Sequence, residues 1–347
     1  MGESVTGMQR YAIEVLRELD CICKPNELEI VVPKDVDPPQ YRNIKVVRQG
    51  KKGSNKSVGG LLWEQTTYAR YLRKSGRLGI NLLAIVPVLM PHGLVVAHGV
   101  NYKVNPHFFK TRHDKLSRLF HIVDWSVLYR RTETIFTDTE FSKSEILKTY
   151  HIDESRITVA GCGWQHIERT EYAKDTFTRY PALKPGGYYF SMSSVNDNKN
   201  FKWIAGVATN NPDSSFAVAG GRSLQEYFER VGAVQPANLE FLGYVSDEDA
   251  KTLMANCKAF LFPTFYEGFG IPPMEAMACG APAIVSDTPT MHEVYGNTVR
   301  YIDPYNPNIH LDEIMSVAVH PAVEVLSKYS WKSTAEKMYS IIRSGGE

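Results

Sequence analysis

At 347 residues with 43% apolar and 22% charged content, the chain is long enough for two ordinary domains and has the composition of a soluble globular protein. A net charge of +1 and a pI near 7.7 argue against a nucleic-acid-binding surface, and no stretch approaches the twenty apolar residues that cross a bilayer. No secretory signal opens the chain, and the five cysteines Cys21, Cys23, Cys162, Cys257 and Cys279 form neither a zinc pattern nor an even framework, so free thiols in a reducing cytosol are expected.

The net charge hides an asymmetry. Residues 1–165 carry 24 Lys+Arg and 17 Asp+Glu, a net of +7, while residues 166–347 carry 15 and 21, a net of −6. Opposite-signed halves argue for two domains with different partners, the basic one suited to anionic lipid or a phosphate-bearing acceptor.

In chain order, short β-rich apolar runs alternate with amphipathic segments, the pattern of a parallel α/β sheet. The first half reads as a helix over 9–19 and strands at 28–32 and 44–47. A helix over 63–74 follows, then strands at 84–88, 93–97 and 134–137. Helices are expected over 117–131 and 142–150, the second opened by a Ser142/Glu145 capping box. A polar stretch between Gly163 and Lys184 marks the boundary, placed at residue 165. Strands at 188–191, 216–219, 239–241, 259–262 and 283–285 then alternate with helices, and a final helix is read over 331–342.

The densest chemical signal follows the strand ending at Phe262. A glycine-rich loop from Pro263 to Ile271 carries Glu267, and Pro272 and Pro273 open a short helix that carries Glu275 and stops at Gly280. A strand–loop–helix of this kind lies at the carboxyl edge of an open α/β sheet, where ligands bind. A glutamate pair alone says little in a chain with 38 acidic residues. The whole string EGFGIPPMEAMACGAPAIVSD is far more specific.

That string resembles the signature of the family 4 retaining glycosyltransferases, which have the GT-B fold. The resemblance implies two Rossmann-like domains with parallel sheets facing an interdomain cleft. Residues 1–165 would bind acceptor, 166–330 the nucleotide-sugar donor, and the C-terminal helix 331–347 would cross back to the first domain. Relatives usually open with a β-strand before the first glycine loop, whereas here Gly2–Gly7 comes directly.

Site roles follow from the same resemblance. Lys199, after the strand at 188–191, matches the lysine that grips the donor diphosphate, with Ser194 in the preceding loop. Glu275 matches the acid that accepts hydrogen bonds from the ribose hydroxyls. Glu267 matches the acid beside the sugar ring. Phe269, Gly270 and Ile271 would offer backbone N–H groups to sugar and phosphate oxygens, and Tyr244 and Val245 lie where relatives hold the base. Core packing is an equal alternative for that last pair.

In the first half, Gly7 in SVTGMQRY would let a helix N-terminus approach phosphate, and His98 would contact the sugar. Relatives often have Arg before the lysine and Asp after the histidine. This chain has Asn198 and Gly99, one cation fewer at the diphosphate.

The reading is a cytoplasmic, metal-independent, retaining enzyme of the hexosyltransferase type. It would move a sugar from a nucleotide diphosphate to a glycan or lipid-linked acceptor in cell-surface polysaccharide assembly, such as capsule or O-antigen. No cofactor is expected, because the nucleotide sugar is a substrate. Asp35 and Asp37 have Asp-x-Asp spacing but precede Pro38–Pro39, the wrong context for a metal. The segment Asn105–Phe120 mixes aromatics with bases and reads either as a solvated loop and helix or as an interfacial patch. A nucleotide-sugar epimerase and a non-catalytic nucleotide-sugar-binding partner protein remain open alternatives.

Overall fold

The computed structural model describes residues 6–50, 57–83, 86–88, 93–193, 197–220 and 224–344. The chain divides into two units, one spanning Val5–Cys162 with Trp331–Glu347 and the other centred on Gly163–Ser330.

The first unit opens with α1 (Gly7–Ile22), started by a capping box in which Thr6 and Gln9 satisfy each other's backbone N–H. Strands β1 (Glu29–Pro33) and β2 (Lys45–Gln49) pair in parallel. The helix expected over 63–74 is split into α2 (Ser57–Trp63), a π-helical turn at Glu64–Tyr68 and α3 (Ala69–Ser75). Then come β3 (Ile80–Asn81), β4 (Leu94–Val96), α4 (Asn101–Val104), α5 (Arg112–Arg131), β5 (Thr134–Thr137), α6 (Glu140–Tyr150) and β6 (Ile157–Val159). The four strands β3-β4-β5-β6 form a second parallel sheet, and among the described residues no ladder joins it to β1-β2. A cavity of about 450 Å³ is lined by both sheets and α1, including Leu16, Leu19, Ile30, Val31 and Ile80.

Two expectations are corrected here. The strand expected at 84–88 is absent where the structure describes it. Ala84 and Ile85 lie outside the described residues, and Val86–Val88 are not strand. Pro87 has no N–H to give a ladder, and the Gln65 side chain holds both neighbours instead. Its amide donates to the Val86 carbonyl at 2.7 Å and its Oε1 accepts from the Val88 N–H at 2.8 Å. Helix α6 starts earlier than Ser142. Its cap is Thr139, which accepts from the Ser142 N–H at 3.1 Å, while Ser142 is itself buried in the first turn.

The core of this sheet is Val95, Ala97, Trp125, Leu128, Tyr129, Ile135 and Ile146. Gly93 has a φ of +117°, and a Cβ there would come within 2.2 Å of the Gly79 carbonyl oxygen. Only glycine lets β4 enter beside that backbone.

The C-terminal helix Trp331–Ser344 packs on α1. Tyr11 meets Trp331 edge-on at 5.6 Å, its hydroxyl reaches Met338 Sδ at 3.6 Å, and the Tyr339 hydroxyl donates to Glu27 at 2.5 Å. Tyr11 and Trp331 are fully buried. Burying an aromatic side chain of this kind stabilises by about 1.5–3 kcal/mol, so this contact anchors a helix some 310 residues away in sequence.

The second unit begins with α7 (His166–Arg169) and α8 (Thr176–Arg179). Then β7 (Tyr188–Met192), α9 (Phe201–Asn210), β8 (Ser215–Ala219), α10 (Leu224–Val231), β9 (Leu239–Gly243) and α11 (Asp247–Ala255) follow. After them come β10 (Ala259–Phe262), α12 (Ile271–Ala278), β11 (Ala283–Ser286), α13 (Pro289–Tyr295) and β12 (Arg300–Ile302). All six strands are parallel, in the order β12-β11-β10-β7-β8-β9. From β7 the chain steps outward to β8 and β9, then jumps to β10 and steps the other way. The order therefore reverses between β7 and β10, which makes their carboxyl ends the switch point where a crevice opens. Strands β6 and β12 are short, three residues each, and were not anticipated from the sequence.

Candidate functional site

The loops leaving β7 and β10 lie side by side at that switch point. They are bound to each other by a backbone hydrogen bond and by two asparagine side chains. The Asn198 side-chain amide donates to the Tyr266 carbonyl at 2.8 Å, and the Asn198 backbone carbonyl accepts from the Phe265 N–H at 3.0 Å. Asn200 adopts a left-handed φ of 50° and donates to the carbonyls of Pro263 at 2.9 Å and Pro304 at 2.7 Å. Asn198 thus has a structural task at the position where relatives often have arginine.

Between these clamps sit the expected charges. Lys199 Nζ donates to Glu267 Oε1 at 2.8 Å and lies 5.5 Å over the Phe262 ring. The lysine side chain is 33% exposed and the glutamate 16%, so the pair is open at one end and shielded at the other. The Thr290 hydroxyl donates to the Glu267 carbonyl at 2.9 Å, fixing the loop from the far side.

Glu267 leads into α12. Gly270 is its cap residue, at a φ of +87°, and a Cβ there would also approach Met291 Cε to 2.7 Å. The Tyr295 hydroxyl donates to the Gly270 carbonyl. Ile271 is the first helical residue rather than the end of a loop, and its cap residue Gly270 has no side chain to satisfy the first N–H groups. Orphan donors at a helix start suit an anionic or hydroxylated ligand. The Phe269 side chain is turned inward, edge-on to Tyr329 at 5.0 Å.

Glu275 sits in α12 and is held by a residue that sequence reasoning did not single out. His166 Nε2 lies 2.5 Å from Glu275 Oε1, and His166 is buried. The partners are 109 residues apart, so no local motif announces them. One Glu275 oxygen is thereby occupied, and the imidazole fixes the carboxylate's direction. After β9, Tyr244 is 52% exposed while Val245 is buried, so the two part company: Val245 packs and Tyr244 faces outward. Ser194 lies outside the described residues.

In the first unit the structure draws a second cluster around Asp138. His98 follows β4, and its Nδ1 lies 2.9 Å from Asp138 Oδ2. Burial works against charge on His98, but the Asp138 carboxylate outweighs it and raises the imidazole's pKa above its ordinary value. Tyr11 meets the His98 ring edge-on at 4.8 Å. Burial, and after it the same carboxylate, pushes the Tyr11 phenol and the Cys162 thiol well up. Where relatives often place Asp next to the histidine, this chain has Gly99, and the carboxylate comes from the end of β5 instead. That substitution is invisible in sequence because 40 residues separate the partners.

Gly7 is the first residue of α1 rather than part of a loop. A Cβ there would meet nothing within 4 Å, so packing does not require glycine at that position. Among the described residues no group of three or more His, Cys, Asp or Glu side chains is arranged to hold a metal.

Residues 182–321 match the family described as Glycosyl transferases group 1. The O-antigen chain mannosyltransferase B of Escherichia coli is 28% identical over 213 residues, covering 58% of this chain and 53% of that protein. The chain therefore aligns with about half the length of that relative. The O-antigen chain mannosyltransferase RfbU of Salmonella typhimurium is 25% identical over 321 residues, 88% of this chain and 85% of that one. Among solved structures, WaaG, a glycosyltransferase involved in lipopolysaccharide biosynthesis, superposes with a TM-score of 0.68 at 14% identity, over 98% of this chain and 97% of its own. Anabaena Alr3699/HepE in complex with UDP-glucose does so with a TM-score of 0.69 at 14% identity, over 99% and 98%. The shared architecture is the GT-B fold.

Proposed function

We propose that this chain, whose residues 182–321 match the glycosyl transferases group 1, transfers a sugar from a nucleotide diphosphate donor to a glycan or lipid-linked acceptor in cell-surface polysaccharide assembly. The observation that carries the reading is the Lys199–Glu267 pair at the β7/β10 switch point, 2.8 Å apart and clamped by Asn198 and Asn200, with Glu275 in the middle of the next helix. A cation next to two differently supported carboxylates suits a ligand that is anionic at one end and hydroxylated at the other.

In this reading the donor diphosphate draws Lys199 away from Glu267. Lys199 and the open N–H groups at the start of α12 then stabilise the negative charge that grows on the leaving diphosphate as the anomeric C–O bond breaks. Glu267, released from the lysine, accepts hydrogen bonds from the sugar hydroxyls and favours positive charge at the anomeric carbon. Glu275, aimed by His166, takes the ribose hydroxyls. Tyr244 flanks the base. The acceptor oxygen attacks the face the leaving group vacates, and its proton passes to a diphosphate oxygen, giving retention.

The site's own cation does the work of charge neutralisation, so transfer is independent of added metal. The names of the O-antigen relatives favour mannose as the sugar. We place the enzyme in the cytoplasm, its basic half in peripheral contact with an anionic membrane.

A thermal-shift panel of nucleotide diphosphates and their sugars, followed by product analysis, tests this. A ligand at 100 times its dissociation constant stabilises the fold by about 2.7 kcal/mol. No shift with any nucleotide, or binding without donor consumption over a panel of acceptors, would overturn it.

A further inference from the structure

Helix α5 has two apolar faces, and only one is covered. Trp125, Leu128 and Tyr129 turn inward to the β4–β5 core. On the other side Leu116, Leu119 and Val123 stand 69%, 58% and 55% exposed. Their spacing of three and four residues puts them in one stripe about two turns long, within some 60° of arc. A surface helix normally presents polar residues there.

The charges around the stripe have one sign. Arg112 and Lys115 just before it and Arg130 and Arg131 at the end of α5, about two turns beyond Val123, are all exposed. Arg118 is committed inward, donating to the Tyr102 carbonyl at 2.6 Å. Of the two acids on the helix, Asp124 is buried and Asp114 caps Thr111 at the helix start. Neither acid of α5 lies on the stripe.

We propose that this face of α5 is a docking surface for anionic phospholipid. Deepening the peripheral contact proposed above, it names the residues that make it. The three aliphatic side chains enter the headgroup boundary while the four cations stay at the phosphate level, as interfacial helices do. A second copy of the chain is a poor occupant. Two such faces related by a two-fold axis would set Arg112 and Lys115 of one against Arg130 and Arg131 of the other, like charge on like. A bilayer surface supplies the opposite charge and needs no shape match. Among the described residues no helix is long and apolar enough to cross a membrane, so α5 would lie on the surface rather than span.

Co-sedimentation of the full chain with vesicles tests this without donor or acceptor, so its outcome is independent of whether transfer occurs. Vesicles of phosphatidylglycerol and phosphatidylethanolamine should pellet the protein. Pure phosphatidylcholine vesicles should not, and raising salt should release it. L116D/L119D should weaken partition at least tenfold, and R130A/R131A by about five-fold per cation lost. Val234→Asp, at a 92% exposed position in the second unit, should change nothing. Thermal melts establish that each variant is folded. Should L116D/L119D not fold, R112A/K115A and R130A/R131A carry the test alone. Equal pelleting by all variants would overturn the proposal, as would equal binding to both vesicle types. A change in sedimentation coefficient of L116D/L119D without vesicles would assign the face to self-association instead.

Discussion

The two units solve the same problem, holding charged side chains at the ends of parallel strands, by different means. In the second unit the charges come from one contiguous stretch, Glu267 to Glu275, plus Lys199 on the neighbouring loop, and asparagine side chains fasten the two loops. In the first unit the cluster is gathered from four distant places, Tyr11, His98, Asp138 and Cys162, with one buried carboxylate at its centre. A loop clamped to its neighbour can carry a motif. A cluster built around a buried acid is written across the whole fold. One consequence is that a change in the second unit should act on ligand and rate, whereas one in the first should act on a protonation state.

The largest effect expected is at Lys199. Lys199→Ala removes the cation proposed to face the developing charge, and kcat should fall by about 10²–10³ with the melting transition retained. Activity within threefold of the parent would break the contrast between the units at its strongest point. Next is Gly270→Ala, which forces a side chain into a φ of +87° beside Met291. It should cost about 1–3 kcal/mol of stability in denaturant unfolding. An unchanged midpoint would show that the α12 entry relaxes freely.

A smaller effect separates holding from aiming at Glu275. Glu275→Ala should weaken nucleotide binding by about tenfold or more in calorimetry. His166→Ala should raise KM with little change in kcat, because it leaves the carboxylate present but undirected. Equal loss of kcat in both would assign His166 a direct part in the reaction.

The smallest effect is the one that tests the first unit. His98 has a raised pKa in the folded state, so the stability its pairing with Asp138 contributes is fully present below the unfolded value of about 6.5. That contribution is lost as pH rises through the higher folded value. Asp138→Asn should lower the His98 pKa, followed by NMR titration of the imidazole, and flatten this part of the stability profile. A His98 titration unmoved by the substitution would remove Asp138 from the centre of the cluster. Chelation is the matching test on the other side: EDTA should leave transfer unaffected.

Much of the second unit is readable in the sequence because its determinants are local. The apolar runs at 259–262 and 283–285 become strands within a residue of where they were expected, since a fully buried parallel strand is simply a short apolar block between turns. Pro272 and Pro273 fix the start of α12, and Gly270 is required by its own backbone angle. The first unit is less legible where side chains replace backbone partners. Gln65 holds the segment around Pro87 that reads as a strand, and Thr139 rather than Ser142 caps α6. Propensity and capping patterns see only neighbours in sequence, and both choices were decided by what else lay within reach in space.

By itself, then, the sequence determined the α/β alternation, the strand–loop–helix that carries Glu267 and Glu275, and the lysine that answers them. The first two are matters of spacing along one stretch of chain, whereas Lys199, 68 residues from Glu267, is singled out only by the family resemblance. Only the tertiary structure decided that Asn198 is a clamp, that His166 aims Glu275, that Asp138 supplies the acid beside His98, and that one apolar face of α5 is left uncovered. Those are contacts, or missing contacts, between residues tens to more than a hundred positions apart, and burial and charge act through distance in space.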